Sequence, residues 1–283
     1  MTTKDTTPLL QVEDLEVRYR TTRMRKQQAN TIDGVSFSIR AGETLALVGE
    51  SGSGKSTIGK AVLGIAPVTG GRILLGGQDI SRITKADRKS LATQVQMVFQ
   101  NPYGSLNPSL TIGDTLSEPL RVQRRLSRAE ADERTTALLD AVGLPPDAAR
   151  RYPAQFSGGQ RQRIAVARAM SIEPELVVCD EPTSALDVST QAGVLKLLGE
   201  LREKLSLSYL FITHDLALVR TFADRVIVLN NGRIVEEGTA QGICEDPQHP
   251  YTQRLVAAAP IPHPQLQAVR RAAHRALLAA ADG

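Results

Sequence analysis

Alternating hydrophobic and polar positions predict a β-rich beginning to this chain. Residues 9–48 contain several short alternating runs, and in one of them Val35, Phe37 and Ile39 share a face. The later run ILLGGQDI, centred on the pair Gly76-Gly77, predicts a β-hairpin. We expect these strands to form an antiparallel β subdomain that follows a flexible start over residues 1–8.

Further along, the hydrophobic pattern changes to helical spacing. From about residue 112 to residue 170 the chain is rich in Leu, Ala, Arg and Glu at helical intervals, interrupted by GLPPD at 143–147. Strands then return as short apolar runs, over residues 176–180, 209–213 and 225–238. The last run predicts a hairpin that turns at Asn231-Gly232. The expected architecture is therefore α/β, with a helical insert between two strand-rich regions.

A glycine-rich segment lies where a phosphate-binding loop is expected. It follows the apolar run 44–48 and precedes apolar residues at helical spacing from Ile58 to Ile65. In this setting G-x-x-x-x-G-K-[ST] cradles phosphates, because backbone N–H groups and a helix N-terminus point at the anion. Lys55 is predicted to reach the β- and γ-phosphates and the Ser56 hydroxyl to face Mg²⁺, whereas the alternative is a turn that binds nothing. The loop comprises Gly49, Glu50, Ser51, Gly52, Ser53, Gly54, Lys55, Ser56 and Thr57.

Two acidic residues follow an apolar strand later in the chain. The run 176–180 ends at Asp180, and Glu181 comes next. We predict that Asp180 helps to hold Mg²⁺ opposite Ser56. Glu181 is predicted to face the γ-phosphate and to polarise the attacking water. The alternative interpretation is a strand followed by a solvated acidic turn.

Two further polar residues stand at predicted strand ends. His214 follows the run 209–213, at the carboxyl end of a strand, where open α/β sheets bind ligands. It is predicted to contact the γ-phosphate. Gln100 closes the run VQMVFQ and is predicted to reach Mg²⁺ or the attacking water. For each of these residues, a role outside the site is the alternative.

A second candidate for anion binding opens the helical stretch IAVARAM. Its Ser-Gly-Gly start offers free N–H groups, a hydroxyl and a helix dipole. Two phosphate-binding helix starts in one chain are hard to explain if each chain binds one nucleotide alone. A head-to-tail dimer solves this, because each nucleotide then lies between one chain's phosphate-binding loop and the other chain's SGGQ. The residues are Ser157, Gly158, Gly159 and Gln160.

These motifs together resemble the ATP-binding cassette (ABC) transporter family over about residues 10–260. The resemblance implies a P-loop NTPase core that hydrolyses ATP with Mg²⁺. It also implies that Tyr19 stacks on adenine, that residues 157–160 close on the partner chain's ATP, and that Ser184–Asp187 crosses the dimer interface. Phe156 departs from the family, which often has Leu there, but either side chain is an apolar anchor. The motifs, in family order, are the phosphate-binding loop, Gln100, SGGQ, Asp180-Glu181, Ser184–Asp187 and His214.

A narrower resemblance is to the ATPase subunits of oligopeptide, dipeptide and nickel importers. It rests on MVFQNPYGSLNP at 97–108, RYPAQFSGGQRQR at 151–163 and HPYTQRLVAAAP at 249–260. Many members of that group end in a cysteine-containing tail, whereas this chain has no cysteine after Cys244. Its last segment predicts an amphipathic helix that packs on its own domain, with membrane contact as the alternative. The face is formed by Leu266, Val269, Ala273 and Leu277.

The resemblance implies an organisation and a function. Residues 9–246 are expected to form the ABC ATP-binding domain, with a helical subdomain at about 112–170, and residues 247–283 a C-terminal extension of the peptide-importer type. The chain would be the ATP-hydrolysing motor of an importer, dimerising on ATP with a second ABC ATPase subunit, identical or different. Two membrane permease subunits and an extracytoplasmic solute-binding protein are the other implied partners. Oligopeptides or dipeptides are the expected cargo, with nickel chelates or small glycans as alternatives.

Composition bears on where the protein acts and on which partners it can have, and it agrees with this interpretation. No apolar run approaches the ~20 residues that span a bilayer, and the start MTTKDTTPLL lacks the features of a signal peptide. Cys179 and Cys244 give neither a disulfide framework nor zinc spacing. The net charge of +4 is mild and the arginine clusters lack stacking aromatics, so no nucleic-acid partner is expected. These features predict a cytoplasmic chain, and the resemblance to importer ATPases implies a peripheral protein on the cytoplasmic face of the plasma (inner) membrane.

Two other functions account for fewer of the motifs. A soluble ABC ATPase acting on DNA would carry long coiled coils between the phosphate-binding loop and SGGQ, whereas about a hundred residues without sustained heptads intervene here. Relatives that act on ribosomes usually carry two cassettes, and this chain shows a single phosphate-binding loop. A P-loop kinase would leave SGGQ unexplained.

Overall fold

The computed structural model describes residues 7–19 and 31–258 and divides the chain into two compact units. Unit 1 contains residues 1–83 and 210–283, and unit 2 contains residues 84–209. The predicted helical insert at 112–170 lies inside unit 2. The predicted amphipathic face at 266–277 and the arginine-rich residues 20–30 lie outside the described residues.

The first segment of unit 1 is built around an antiparallel sheet. Its strands lie in the order β2-β1-β4-β5, and Val35, Phe37 and Ile39 are all buried on one face of β2. The predicted antiparallel β subdomain is thus confirmed, with its hairpin at residues 76–77. The elements are β1 (Leu10–Val17), β2 (Ile32–Ile39), β3 (Thr44–Val48), α1 (Lys55–Val62), β4 (Gly70–Leu75) and β5 (Gln78–Asp79).

Helix α1 ends earlier than the apolar spacing predicts. The spacing extends to Ile65, but the helix stops at Val62. Gly64 takes a positive φ, and the N–H of Ile65 turns back to donate to the carbonyl of Lys60 at 2.8 Å. This is the C-terminal capping pattern that glycine favours. Ile65 is left exposed beyond the end of the helix.

Unit 2 is mainly helical and contains a pair of parallel strands. Strands β6 and β7 pair in parallel, with Val98 opposite Cys179. Helix α5 begins with a reciprocal cap in which the Ser127 hydroxyl and the Glu130 carboxylate each accept an N–H. The elements are α2 (Lys85–Gln94), β6 (Val95–Val98), α3 (Pro102–Ser105), α4 (Ile112–Gln123), α5 (Arg128–Ala141), α6 (Gly158–Met170), β7 (Leu176–Asp180) and α7 (Val188–Leu205), with 3₁₀ turns at Pro146–Arg150 and Pro153–Gln155.

The chain returns to unit 1 through β8, which crosses the division between the units. Strand β9 pairs in parallel with β3 and antiparallel with β10. All five residues of β3 are buried, which explains why this strand has a continuous apolar run and not an alternating one. The elements are β8 (Ser208–Thr213), α8 (Leu216–Phe222), β9 (Arg225–Asn230), β10 (Arg233–Thr239), α9 (Ala240–Glu245) and α10 (Pro250–Ala258).

Two arginines of β9 and β10 join this hairpin to the N-terminal segment of unit 1. Arg225, with 22% of its side chain exposed, donates to the nearly buried carboxylate of Glu43 at 2.8 Å. It also donates to the carbonyl of Ser38 at 3.2 Å and forms an ion pair with Glu237. Arg233 pairs with Asp33 at 2.9 Å, but 71% of its side chain is exposed. The first arginine is therefore expected to stabilise the unit more than the second.

A matched pair of substitutions tests this difference. Arg225→Gln leaves the Glu43 carboxylate buried without its cation and should lower the free energy of unfolding by about 2 kcal/mol. Arg233→Gln removes a surface ion pair and should cost at most about 1 kcal/mol. Urea denaturation at neutral pH measures both. Equal losses in the two variants would contradict the assigned role of Arg225.

Candidate active site

The predicted phosphate-binding loop joins β3 to α1, as the strand–loop–helix pattern indicates. Gly54 is the N-cap residue of α1 and has a left-handed backbone. Because glycine has no side chain, no side-chain oxygen occupies the first turn of this helix. The start of α1 thus combines a glycine N-cap with a helix N-terminus, which is the arrangement that a phosphate site requires.

The side chain of Lys55 lies within the loop that precedes it. Its ammonium group donates to the carbonyl oxygens of Gly49 at 2.7 Å and Glu50 at 2.8 Å, and the hydroxyl of Ser53 lies 3.5 Å away. Lys55 is only 5% exposed. The structure therefore places the predicted phosphate-binding cation at the centre of the loop, held by the loop's own acceptors.

The turn between β9 and β10 supports the loop from one side. The N–H of Gly232 donates to the carbonyl of Ser53 at 2.9 Å. A Cβ atom added at Gly49 would come within 2.2 Å of the carbonyl oxygen of Leu229. The first glycine of the motif is thus needed for this close approach, in addition to any contact with a ligand.

In unit 2, the predicted catalytic residues lie just beyond the ends of β6 and β7. Because these strands are parallel, Gln100 and Glu181 follow the same edge of the pair, and the Gln100 amide donates to the Glu181 carboxylate at 3.2 Å. Asp180 is the last residue of β7. The structure thus brings together the side chains that were predicted to act on water and on Mg²⁺ within this unit.

Glu181 has an unusual backbone conformation. Its φ of 48° lies in the left-handed region, which residues other than glycine seldom adopt. Its carbonyl accepts from the N–H of Ser184 at 3.3 Å and from the Ser184 hydroxyl at 3.2 Å. Strained conformations of this kind concentrate at functional sites, where the surrounding structure maintains them. This observation supports a specialised role for Glu181.

The SGGQ segment begins α6 with a reciprocal cap. The Ser157 hydroxyl accepts the N–H of Gln160 at 3.3 Å, and the Gln160 side chain accepts the N–H of Ser157 at 3.0 Å. The N–H groups of Gly158 and Gly159 belong to the first turn and have no partner inside the helix. Phe156 is buried, which confirms its role as an apolar anchor.

The glycines of this segment also have a packing role. A Cβ atom at Gly159 would lie 2.2 Å from the side chain of Thr190, in the first turn of α7. Asp187 is the N-cap of α7, and hydrogen bonds from Ser189 and then Thr190 hold the pKa of its carboxyl far below the usual range. The segment Ser184–Asp187 is thus fixed to the start of α7, which lies close to the start of α6.

The remaining predicted residues are placed in unit 1. His214 directly follows β8, as predicted. Tyr19 lies two residues beyond β1 and is 42% exposed, but the residues that follow it are outside the described part of the chain. The assignments of Tyr19 to adenine and of His214 to the γ-phosphate therefore stay predictions.

Two residues with clear contacts to the site were missed by sequence reasoning. Gln162 is fully buried in α6, and its amide donates to the carbonyl of Phe99, next to Gln100, at 3.3 Å. The hydroxyl of Tyr251, in α10, accepts the N–H of Glu50 at 2.9 Å. A polar residue at a position of otherwise apolar spacing in α6 was a usable signal for Gln162. The contact of Tyr251 joins residues 201 apart, and no local pattern predicts it.

The metal-binding chemistry fits Mg²⁺ carried with a nucleotide. Among the residues that the structure describes, no group of three or more His, Cys, Asp or Glu side chains could hold a metal ion by itself. Mg²⁺ typically binds through one or two protein ligands plus substrate phosphates. A serine hydroxyl such as that of Ser56 and a carboxylate such as that of Asp180 are ligands of this type, and the role of each in holding Mg²⁺ stays a prediction. As a separate point, none of the helices within residues 7–19 and 31–258 combines the length and the apolar composition of a membrane span.

Comparison with known proteins defines the class of this protein. The family model for ABC transporters matches residues 32–184. The chain therefore belongs to the ABC transporter family, which confirms the predicted family and its α/β fold. The model for the oligopeptide/dipeptide transporter C-terminal region matches residues 235–282, in agreement with the narrower resemblance.

Individual relatives agree with both matches. A peptide import ATP-binding protein, by its name, from Brucella ovis is 46% identical over 265 residues, covering 94% of this chain and 83% of the relative. The di/tripeptide transport ATP-binding protein DppF of Pseudomonas aeruginosa is 51% identical over 237 residues, covering 84% of this chain and 73% of the relative.

Two solved structures show the same fold. One is a dimeric ATP-binding cassette in a post-hydrolysis state bound to ADP and Pi, with a TM-score of 0.73 and 29% identity over 82% of this chain and 98% of that one. The other is cbiO1 of Clostridium perfringens, part of an ABC transporter complex, with a TM-score of 0.75 and 27% identity over 84% of this chain and 91% of that one.

Lys55 gives the first test of the site. Lys55→Ala removes a cation from the predicted phosphate cradle and should weaken ATP binding by about 1.5–3 kcal/mol, which is roughly tenfold or more. Lys60→Ala is the matched control, because it removes the same charge from an exposed position on the same helix. Calorimetry measures both affinities. An unchanged affinity in Lys55→Ala would contradict the proposed cradle.

Glu181 gives the second test. Glu181→Gln keeps the shape of the side chain but removes the base, so turnover should fall by roughly 10²–10⁴-fold while ATP still binds. Glu175→Gln is the control. Glu175 is exposed and directly precedes the first residue of β7, at the other end of the strand from Glu181, so this variant should retain activity. Size-exclusion chromatography with ATP should show a dimer-sized peak for Glu181→Gln. Normal steady-state hydrolysis by this variant would remove Glu181 from the catalytic role.

Proposed function

We propose that this chain is the ATP-hydrolysing motor subunit of an ABC importer for oligopeptides or dipeptides. One observation carries the proposal: the ABC transporter match at residues 32–184 and the oligopeptide/dipeptide C-terminal match at 235–282 occur in the same chain. The relatives named for peptide and di/tripeptide transport support the same cargo class. Nickel chelates and small glycans are the competing cargoes.

Each residue of the site has a defined part in the proposed hydrolysis. The N–H groups of the loop and the ammonium of Lys55 bind the β- and γ-phosphates, and the ring of Tyr19 stacks on adenine. The Ser56 hydroxyl and Asp180 carboxylate would hold Mg²⁺, with Gln100 nearby, and the ion would neutralise phosphate charge. Glu181 orients the attacking water and accepts its proton, while His214 contacts the γ-phosphate.

The geometry of Gln100 and Glu181 supports this division of roles. An amide that donates to the carboxylate at 3.2 Å fixes the direction of the carboxylate without neutralising it. Glu181 therefore stays an acceptor, as a residue that must take a proton from water needs to be. The loop carbonyls that hold Lys55 are likewise acceptors that can share the ammonium's three donors with a phosphate.

Dimerisation supplies the second set of phosphate contacts in this proposal. Residues 157–160 of one chain close on the nucleotide held by the loop of the other, and Ser184–Asp187 lies at the interface. The N–H groups of Gly158 and Gly159, left without intrahelical partners, are the donors that such a contact needs. The exposed side chain of Val188, next to Asp187, is an apolar residue available for the same interface.

Transport requires further partners in this proposal. Two membrane permease subunits would convert dimer closure and reopening into movement of the solute, and an extracytoplasmic binding protein would deliver it. This arrangement places the chain on the cytoplasmic face of the plasma membrane. The segments that indicate the importer type, 97–108 and 249–260, report which permease the motor couples to and the cargo only by association.

Reconstitution tests the proposed function directly. The chain is incorporated with its permeases into liposomes, and labelled di- to oligopeptides are supplied with the binding protein on the outer side. ATP inside should drive uptake, and both uptake and the stimulated ATPase activity should disappear with Glu181→Gln but persist with Glu175→Gln. ATP-driven export would overturn the importer assignment. Uptake that nickel chelates or glycans inhibit, and that a peptide pool does not, would overturn the peptide cargo.

A further inference from the structure

A hydrogen bond connects the C-terminal segment of unit 1 to the phosphate-binding loop. The hydroxyl of Tyr251, in α10, accepts the N–H of Glu50, the second residue of the loop, at 2.9 Å. Tyr251 belongs to the stretch that matches the oligopeptide/dipeptide C-terminal region, whereas Glu50 belongs to the ABC transporter match. A residue outside the ATP-binding motifs therefore contacts the backbone of the loop itself.

The contact acts on the part of the loop that holds Lys55. The carbonyl of Glu50 accepts from the Lys55 ammonium at 2.8 Å and from the N–H of Ser53 at 3.2 Å. Tyr251 holds the N–H of Glu50, so that both polar groups of this residue's backbone are fixed. Because peptide groups are planar, fixing the N–H also constrains the orientation of the preceding carbonyl, which is the Gly49 oxygen that Lys55 contacts at 2.7 Å.

Packing holds the tyrosine ring in place. Tyr251 is 5% exposed and belongs to an apolar cluster with Val48 of β3, Val228 of β9, Leu216 of α8 and Val256 of α10. Burial raises the pKa of its hydroxyl, and the negative charge of Glu50 adds to the shift, so the phenol stays neutral at physiological pH. The hydroxyl is therefore a fixed, uncharged acceptor for the loop N–H.

The turn that leads into α10 is itself fixed to β10. The Glu236 carboxylate accepts the N–H groups of Gln248 at 2.7 Å and His249 at 3.1 Å, and Nδ1 of His249 accepts the N–H of Tyr251 at 3.1 Å. Burial acts to raise the pKa of Glu236, but favourable interactions with its neighbours, among them the N–H groups of Gln248 and His249, outweigh it and leave the pKa lowered. The position of Tyr251 is thus determined by the anchored turn that precedes it and by the apolar cluster around its ring.

We propose that Tyr251 is a positioning residue for ATP binding, and that through it the importer-type C-terminal segment sets the nucleotide affinity of the loop. The inference rests on the proposed function, in which this loop binds ATP. Tyr251 touches neither phosphate nor water in this scheme. It acts through the Glu50 peptide, and so its removal should affect the binding of ATP more than the chemical step.

The test replaces Tyr251 by Phe in the full chain, which removes the hydroxyl and keeps the ring in the apolar cluster. Loss of one hydrogen bond should raise the Kd of a non-hydrolysable ATP analogue with Mg²⁺ roughly threefold to tenfold. The KM for ATP should rise by a similar factor, and kcat at saturating ATP should stay within about twofold of wild type. Hydrogen exchange of a peptide that covers the Glu50 amide should become faster in the nucleotide-free protein.

Tyr209→Phe is the matched control. Tyr209 is fully buried, and its hydroxyl donates to the carbonyl of Leu198 at 3.0 Å, so the variant also loses one hydrogen bond to the backbone. It should lower Tm to a similar extent but leave Kd, KM and exchange at Glu50 unchanged. If Tyr251→Phe folds poorly, Glu236→Gln, which weakens the anchor of the turn, should still raise Kd in a folded chain.

The outcomes separate this inference from the proposed function. Absence of ATP binding by the wild-type chain would overturn the proposed function, and the inference with it. Wild-type binding together with an unchanged Kd in Tyr251→Phe would overturn the inference alone. If Tyr251→Phe and Tyr209→Phe weaken ATP binding equally, the effect comes from lost stability of the fold, and the inference is overturned.

Discussion

The conformation of the predicted phosphate-binding loop depends on the hydrogen bonds of the buried Lys55 ammonium. A buried charge without partners is far more costly than a single hydrogen bond is favourable, so the cation must be surrounded by acceptors. The loop meets this requirement with its own carbonyls at Gly49 and Glu50. Those carbonyls can point inward because the loop packs closely against Leu229 and accepts the N–H of Gly232. The packing of β9 and β10 in unit 1 thus determines the conformation of the loop.

In unit 2, the equivalent constraint is the parallel register of β6 and β7. The register brings Gln100 and Glu181 to one edge, where an amide donates to a carboxylate. Gln162 supports the same edge from α6 through the carbonyl of Phe99. The left-handed backbone of Glu181 shows that local geometry here is not the most relaxed available. In the proposed role of Glu181, which is to act on one water molecule, this restriction helps because the carboxylate is already oriented before the nucleotide binds.

Sequence patterns predicted the strands, the hairpin turns and the helical region because these depend on local spacing and on glycine. They predicted the ends of elements less well, as at α1, where the cap at Gly64 overrode an apolar spacing that extends to Ile65. Gln100, Glu181 and His214 each follow a strand end, a position that the sequence shows as a polar residue after an apolar run, and their roles stay predictions. Gln162 and Tyr251 differ, since their partners lie 63 and 201 residues away. Such contacts follow from packing in three dimensions, which a single sequence does not display.

The contact between Tyr251 and Glu50 changes how the two matched regions relate to each other. The chemistry of ATP hydrolysis is common to the ABC family, whereas the C-terminal region is particular to one group of transporters. If the two regions were independent, variation in the second would alter partner choice and leave nucleotide affinity unchanged. A hydrogen bond joins the loop to α10, and Tyr251 belongs to the same apolar cluster as Val48 and Val228, so the two regions are in contact. In the proposed coupling, a partner that changes the contact between Tyr251 and Glu50 changes ATP affinity, and ATP changes the affinity for that partner by the same factor.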